Sequence, residues 1–205
     1  MPHISNFIES LSKRKDNDLV TNPYFNKEKA HNLEVYLRAA LRENVKYLFV
    51  GEAPGYRGCN QTGIPFTSYE QLKEGIHPFI NSFVKDIIVT NPNSKETSAR
   101  FFWKGLIQNN FTAVAWNTFP FHPHVSNGTK NRAPSREEVE EGISYLKYLI
   151  DIINPKAIIS VGGYANSLLT GLNIVHLHVR HPSYDFKEEF PLQVKDIIKK
   201  LKGNI

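Results

Sequence analysis

The sequence predicts an α/β fold: a three-layer sandwich with a short central parallel sheet of four strands, flanked by helices. Three observations predict it. Four apolar runs, VKYLFV at 45–50, TAVAWN at 112–117, KAIISV at 156–161 and NIVHLHV at 173–179, read as buried strands. Helical patterns lie between them, and alternating strands and helices imply parallel strands with helices on both faces. Each run also breaks into an unusual segment: GEAPGYRG, WNTFPFHPH, GGYAN or RHPS. In open α/β sheets, ligands bind beyond the carboxyl ends of the strands, so these four segments are expected to converge on one site.

Each element has its own signal. Ile4, Phe7, Ile8 and Leu11 recur at i, i+3, i+4, i+7 and predict a short amphipathic helix. Leu33, Tyr36, Leu37, Ala40 and Leu41 mark one face of a helix over 33–43. Helices are expected over 77–89 and 98–109, with NPNSKETS at 91–98 as an exposed loop open to a nick or an insertion. Ser135, followed three residues later by Glu138, has capping-box spacing and opens a helix that runs to about Ile153, before Pro155. GGYANSLL continues as a helix. A last helix runs from Phe190 to Leu201, with Leu192, Ile197, Ile198 and Leu201 apolar and Lys195, Lys199 and Lys202 on its wet side.

Composition bounds the rest. The 205 residues are 40% hydrophobic and 12% aromatic, which suits one globular domain over 1–205 and excludes intrinsic disorder. No apolar run reaches the ~18 residues of a membrane span, and the N-terminus lacks signal-peptide layout. A single cysteine, Cys59, excludes an internal disulfide framework and a four-cysteine metal or iron–sulfur site. It also suggests a reducing, cytoplasmic compartment. The net charge of +5 permits a nucleic-acid partner without requiring one.

In GEAPGYRGCNQTGIPFTS, 51–68, small residues allow close backbone approach to a ligand, and Pro54 and Pro65 stiffen the loop. Glu52 stands just past its strand, where a carboxylate orients water or offsets developing positive charge. Phe66 offers either a stacking face or a core side chain. The segment is no P-loop, since GxxxxGK[ST] is absent.

These motifs resemble the uracil-DNA glycosylase superfamily. GEAPG is similar to motif one of the thermostable iron–sulfur branch, and Gly58 to Phe66, G-x-x-Q-T-G-I-P-F, is similar to the single-strand-selective monofunctional branch. RHPS at 180–183 resembles motif two, and Asn117 resembles the asparagine that reads the uracil edge. NRAPSREEVE at 131–140 and PKAIISVGGYA at 155–165 also resemble the iron–sulfur branch. The resemblance spans roughly 47–185. The chain departs from both branches: Cys59 stands alone where one branch has four cysteines, Gly58 falls where that branch has a second acid, and Ala53 falls where the other has asparagine.

The resemblance implies a monofunctional glycosylase that extrudes uracil or a related modified pyrimidine from DNA and hydrolyses its glycosidic bond. Glu52 and His181 are then the expected catalytic residues, His181 donating to O2 of the leaving base. Gly51, Ala53, Pro54, Gly55, Phe66 and Asn117 would bind the base, and Asn117 both donates to and accepts from its edge. Arg57, Ser183 and Tyr184 would contact DNA, with Tyr184 and Phe186 placed as wedges. No metal or other cofactor is needed, and a monomer acting on DNA is expected. Other readings stay open: excision of a bulkier modified base, a non-catalytic binder of single-stranded or damaged DNA, or a metal-dependent hydrolase. The last would use the pairs His122/His124 and His176/His178, although no Asp, Glu or Cys stands near them at metal spacing.

Overall fold

The structure, a computed structural model, describes residues 2–125, 128–183 and 188–203. Four parallel strands form the central sheet: β2 (Tyr47–Gly51), β3 (Val114–Asn117), β5 (Ala157–Val161) and β6 (Leu177–Val179), in the order β3-β2-β5-β6. A second, two-stranded antiparallel sheet, which the sequence did not announce, pairs β1 (Val20–Thr21) with β4 (His122–Pro123).

Side-chain alternation along the strands builds the three layers. Trp116 of β3 faces α1 (Pro2–Ser12), where Phe7 meets it at 5.4 Å between ring centroids; Phe7 also meets Tyr148 of α6 (Arg136–Ile153). The four apolar residues of α1 are all buried, as their spacing predicts. The hydroxyl of Tyr36, from α2 (Lys27–Arg42), accepts the Ala115 N–H at 2.7 Å. On the other face, Phe49 of β2 packs edge-on against Phe102 of α5 (Thr97–Gln108), and Phe102 meets Phe190 of α8 (Phe190–Gly203). Between β5 and β6 runs α7 (Gly163–Gly171). Ser135 and Glu138 form the expected reciprocal capping box at the start of α6.

Two expectations need correction. No continuous helix spans 77–89; there is only one turn, α4 (Pro78–Asn81), and a 3-10 turn at Val84–Asp86. The buried amide of Asn32 takes both backbone groups of Ile88, accepting its N–H at 2.8 Å and donating to its carbonyl at 2.9 Å. The Tyr69 hydroxyl accepts the Thr90 N–H. These side chains hold 88–90 outside any helical ladder. In α8, Leu192 is 62% exposed, and Phe190, Pro191, Val194 and Ile197 form the buried face. Residues 91–96 form the expected, mostly exposed loop, tied down at two points: the buried Ser94 hydroxyl accepts the Tyr69 N–H, and the Glu96 N–H donates to the Ser68 hydroxyl at 3.3 Å. Another four-residue helix, α3 (Cys59–Thr62), follows the loop after β2.

Candidate active site

Strand register assembles the site. Gly51 at the end of β2 stands directly beside Asn117 at the end of β3. Beyond that pair the loops are stitched together: Thr118 N donates to the Gly51 carbonyl, and Phe119 N and Thr118 Oγ1 both donate to the Glu52 carbonyl, at 2.8, 3.0 and 2.7 Å. His122 Nδ1 donates to the Pro54 carbonyl at 2.8 Å, and Tyr56 N to Asn131 Oδ1 at 2.9 Å. A cavity of about 300 Å³ opens past these loops. Glu52, Phe66, Asn117 and His181, from three sequence-distant segments, all line it, as do Ala53, Pro54 and Gly55.

Phe66 has φ +51°, a left-handed conformation that costs a non-glycine residue about 1–2 kcal/mol. Its neighbours hold it there. The ring packs on Phe102 at 4.9 Å, and Thr67 is fixed by Thr62 Oγ1 donating to its carbonyl and Trp103 Nε1 donating to its hydroxyl. Gly51 makes this possible: a Cβ there would overlap the edge of the Phe66 ring and lie 3.1 Å from Asn117 Oδ1. Phe66 is thus at once a core side chain and part of the cavity wall. Asn117 is 3% exposed, and its amide makes no hydrogen bond among the described residues, leaving donor and acceptor for a ligand. The His181 ring lies 6.0 Å from that of Phe66, and its Cβ is backed by Gly162. Burial lowers the His181 pKa, which favours the neutral imidazole, and raises that of Glu52.

A second carboxylate, which the sequence reading missed, lines the same cavity. Glu96 is the N-cap residue of α5, yet its side chain makes no capping hydrogen bond. Instead its carboxylate lies over two glycines: a Cβ on Gly55 would overlap Oε1, and one on Gly58 would overlap Oε2. Burial pushes its pKa up to about 7, opposed only by a hydrogen bond with Ser98. Arg132 also reaches the cavity, but its guanidinium is paired with Glu138 at 2.6 Å.

At the mouth lie Arg57, Lys95, Lys130 and Ser183. The three cations are exposed and have no acidic partner within ion-pair distance among the described residues. Tyr184 and Phe186 lie outside the described residues. The histidine pairs are engaged in hydrogen bonds. His124 Nδ1 donates to the Val125 carbonyl, His176 Nδ1 donates to the Ile174 carbonyl, and His178 Nδ1 lies 2.9 Å from Ser160 Oγ. Among the described residues, no three His, Cys, Asp or Glu group as a metal site. Cys59 does not suit an iron–sulfur cluster: it is the chain's single cysteine, is buried against the Tyr24 hydroxyl, and has its thiol pKa pushed up to about 12.

Comparisons with known proteins bear on the family and the fold. A model of the uracil DNA glycosylase superfamily matches residues 39–202, and the chain belongs to that superfamily. Its fold is similar to that of wild-type SMUG2 from Pedobacter heparinus, with a TM-score of 0.70 over 98% of each chain at 17% identity. No curated protein matches the sequence. Among the described residues, no helix is long and apolar enough to cross a membrane.

Proposed function

We propose that this protein is a monofunctional DNA glycosylase, hydrolysing the bond between deoxyribose and uracil or a related modified pyrimidine flipped out of DNA. One observation carries the reading: an aromatic wall, an amide with no hydrogen-bond partner among the described residues and an imidazole whose pKa burial lowers meet on one cavity beside a carboxylate. Phe66 supports the ring, and Asn117 reads an edge that presents both a donor and an acceptor. His181 donates to O2 as negative charge develops there, a contribution worth about 10²–10³ in rate. Glu52 offsets the positive charge that builds on the sugar. No lysine lines the cavity among the described residues, so hydrolysis without strand cleavage is the expected outcome. Residues 1–205 are taken as one domain, acting on DNA as a cytoplasmic monomer that needs no cofactor.

Asn131, Arg132 and Ala133 extend the lining beyond the residues assigned to the ring, and this favours a second reading, a base carrying an added substituent. Both readings are tested by incubating the protein with single- and double-stranded oligonucleotides, each carrying one modified base, with and without alkali. Strand breaks that appear only after alkali, at uracil or a substituted pyrimidine, are expected. DNA binding without excision of any base would leave the non-catalytic reading.

A further inference from the structure

Glu96 belongs to no motif of the resemblance, yet it is built into the site. Its carboxylate takes the space that side chains at 55 and 58 would need, and both positions are glycine. The acid reaches that space from the start of α5. Glu52 lines only the cavity, whereas Glu96 lines both the cavity and the adjoining depression that holds Arg57, Lys95 and Lys130.

Resting on the glycosylase reading, we propose that Glu96 is a second functional carboxyl of this site and the acceptor of the proton from the attacking water. The water oxygen bonds to C1′ of the sugar as the bond from C1′ to the base nitrogen breaks. The bonding electron pair leaves with the base, whose O2 is held by His181. The water proton passes to the Glu96 carboxylate and from there returns to the base or to solvent. One water is added across one bond, with no further reactant. Glu52 then keeps a distinct task, facing the sugar cation. A proton acceptor works best with a pKa near the operating pH, and burial places Glu96 at about 7. The charged or titratable groups that face it are Glu52 and Cys59 from the loop after β2 and the start of α3, Arg132 beyond β4, and His181 beyond β6. Arg57, Lys95 and Lys130 face it from the mouth.

The test is single-turnover excision of uracil from a single-stranded oligonucleotide between pH 5 and pH 9. Wild-type protein is compared with Glu96→Gln, Glu52→Gln and Glu96→Ala, the last with and without added formate. The wild-type rate should climb through an acid limb centred near pH 7. Glu96→Gln should lose about 10²-fold or more, together with that limb. Glu52→Gln should be slower but keep the limb, and formate should restore part of the Glu96→Ala rate by filling the space over Gly55 and Gly58. A Glu96→Gln rate within about twofold of wild type would overturn the proposal, as would an unchanged limb without formate rescue. A wild type inactive on every base tested would remove the glycosylase reading and this proposal together. An active wild type indifferent to Glu96→Gln would remove this proposal alone.

Discussion

Two stretches of chain each bring a carboxylate to the same cavity, and they are held in different ways. The stretch from Gly51 to Phe66 is fixed through its backbone. The carbonyls of Gly51, Glu52 and Pro54 accept hydrogen bonds from Thr118, Phe119 and His122. The stretch from Asn91 to Ser98 hangs on side chains: the hydroxyls of Ser94 and Ser68 accept the N–H groups of Tyr69 and Glu96. The first wall is a property of the sheet and its register. The second is an attachment whose position rests on a few hydroxyls and on the absence of two Cβ atoms. The first therefore suits the groups that face the base, and the second a group that handles protons at the solvent side.

The largest expected effect lies at His181, which follows β6 and faces Phe66 of the first wall. His181→Ala should lower excision of uracil by about 10²–10³-fold. The loss should shrink for 5-fluorouracil, a better leaving group, while affinity for the oligonucleotide changes little, because the interaction is made in the transition state. An equal loss on every base would erase the division of labour between the walls.

Next comes a substitution where the two walls touch. Gly58→Ala places a methyl group on the Glu96 carboxylate, which can swing away because it ends a flexible side chain. Activity should fall by up to about 10²-fold through misplacement alone, while the thermal midpoint stays close to that of wild type. A large loss of stability with normal turnover in the surviving folded protein would show that the close approach serves packing only.

A smaller effect is expected at the mouth. If Arg57, Lys95 and Lys130 meet phosphates, each alanine substitution should reduce the slope of log affinity against log salt by about 0.7 on single strands. Salt titrations of binding to a labelled oligonucleotide measure this directly, and unchanged slopes would place the DNA elsewhere.

The smallest effect is on stability. The Glu96 carboxyl has its pKa raised from 4.5 to about 7 in the folded protein, so between those values the folded state binds more protons than the unfolded one. Its contribution to stability therefore falls as pH rises through that window and levels off above it. Glu96→Gln cannot titrate, so its thermal midpoint relative to wild type should climb from about pH 4.5 to pH 7. A constant difference between the two proteins would mean that Glu96 is not held in a buried state.

The sequence by itself determined the four strands of the central sheet, most of the helices and the first wall. Strand runs, the α1 stripe and the Ser135/Glu138 box are local signals, legible because periodicity and capping act within a few residues. The four strand-end segments were legible as a site because parallel strands end on one side, and three of them line the cavity. The fourth, GGYAN, opens with Gly162, which backs His181 from behind. Tertiary structure alone decided the rest. Asn32 keeps the end of the helix expected over 77–89 out of any helical ladder by capturing both backbone groups of Ile88, a contact between residues 56 apart that no window of sequence contains. The second wall was hidden for the same reason. Glu96 sits in a stretch with the composition of an exposed loop, and only packing shows that the space beside Gly55 and Gly58 holds its carboxylate. A glycine in sequence declares that a side chain is missing; which distant group fills the space depends on the fold.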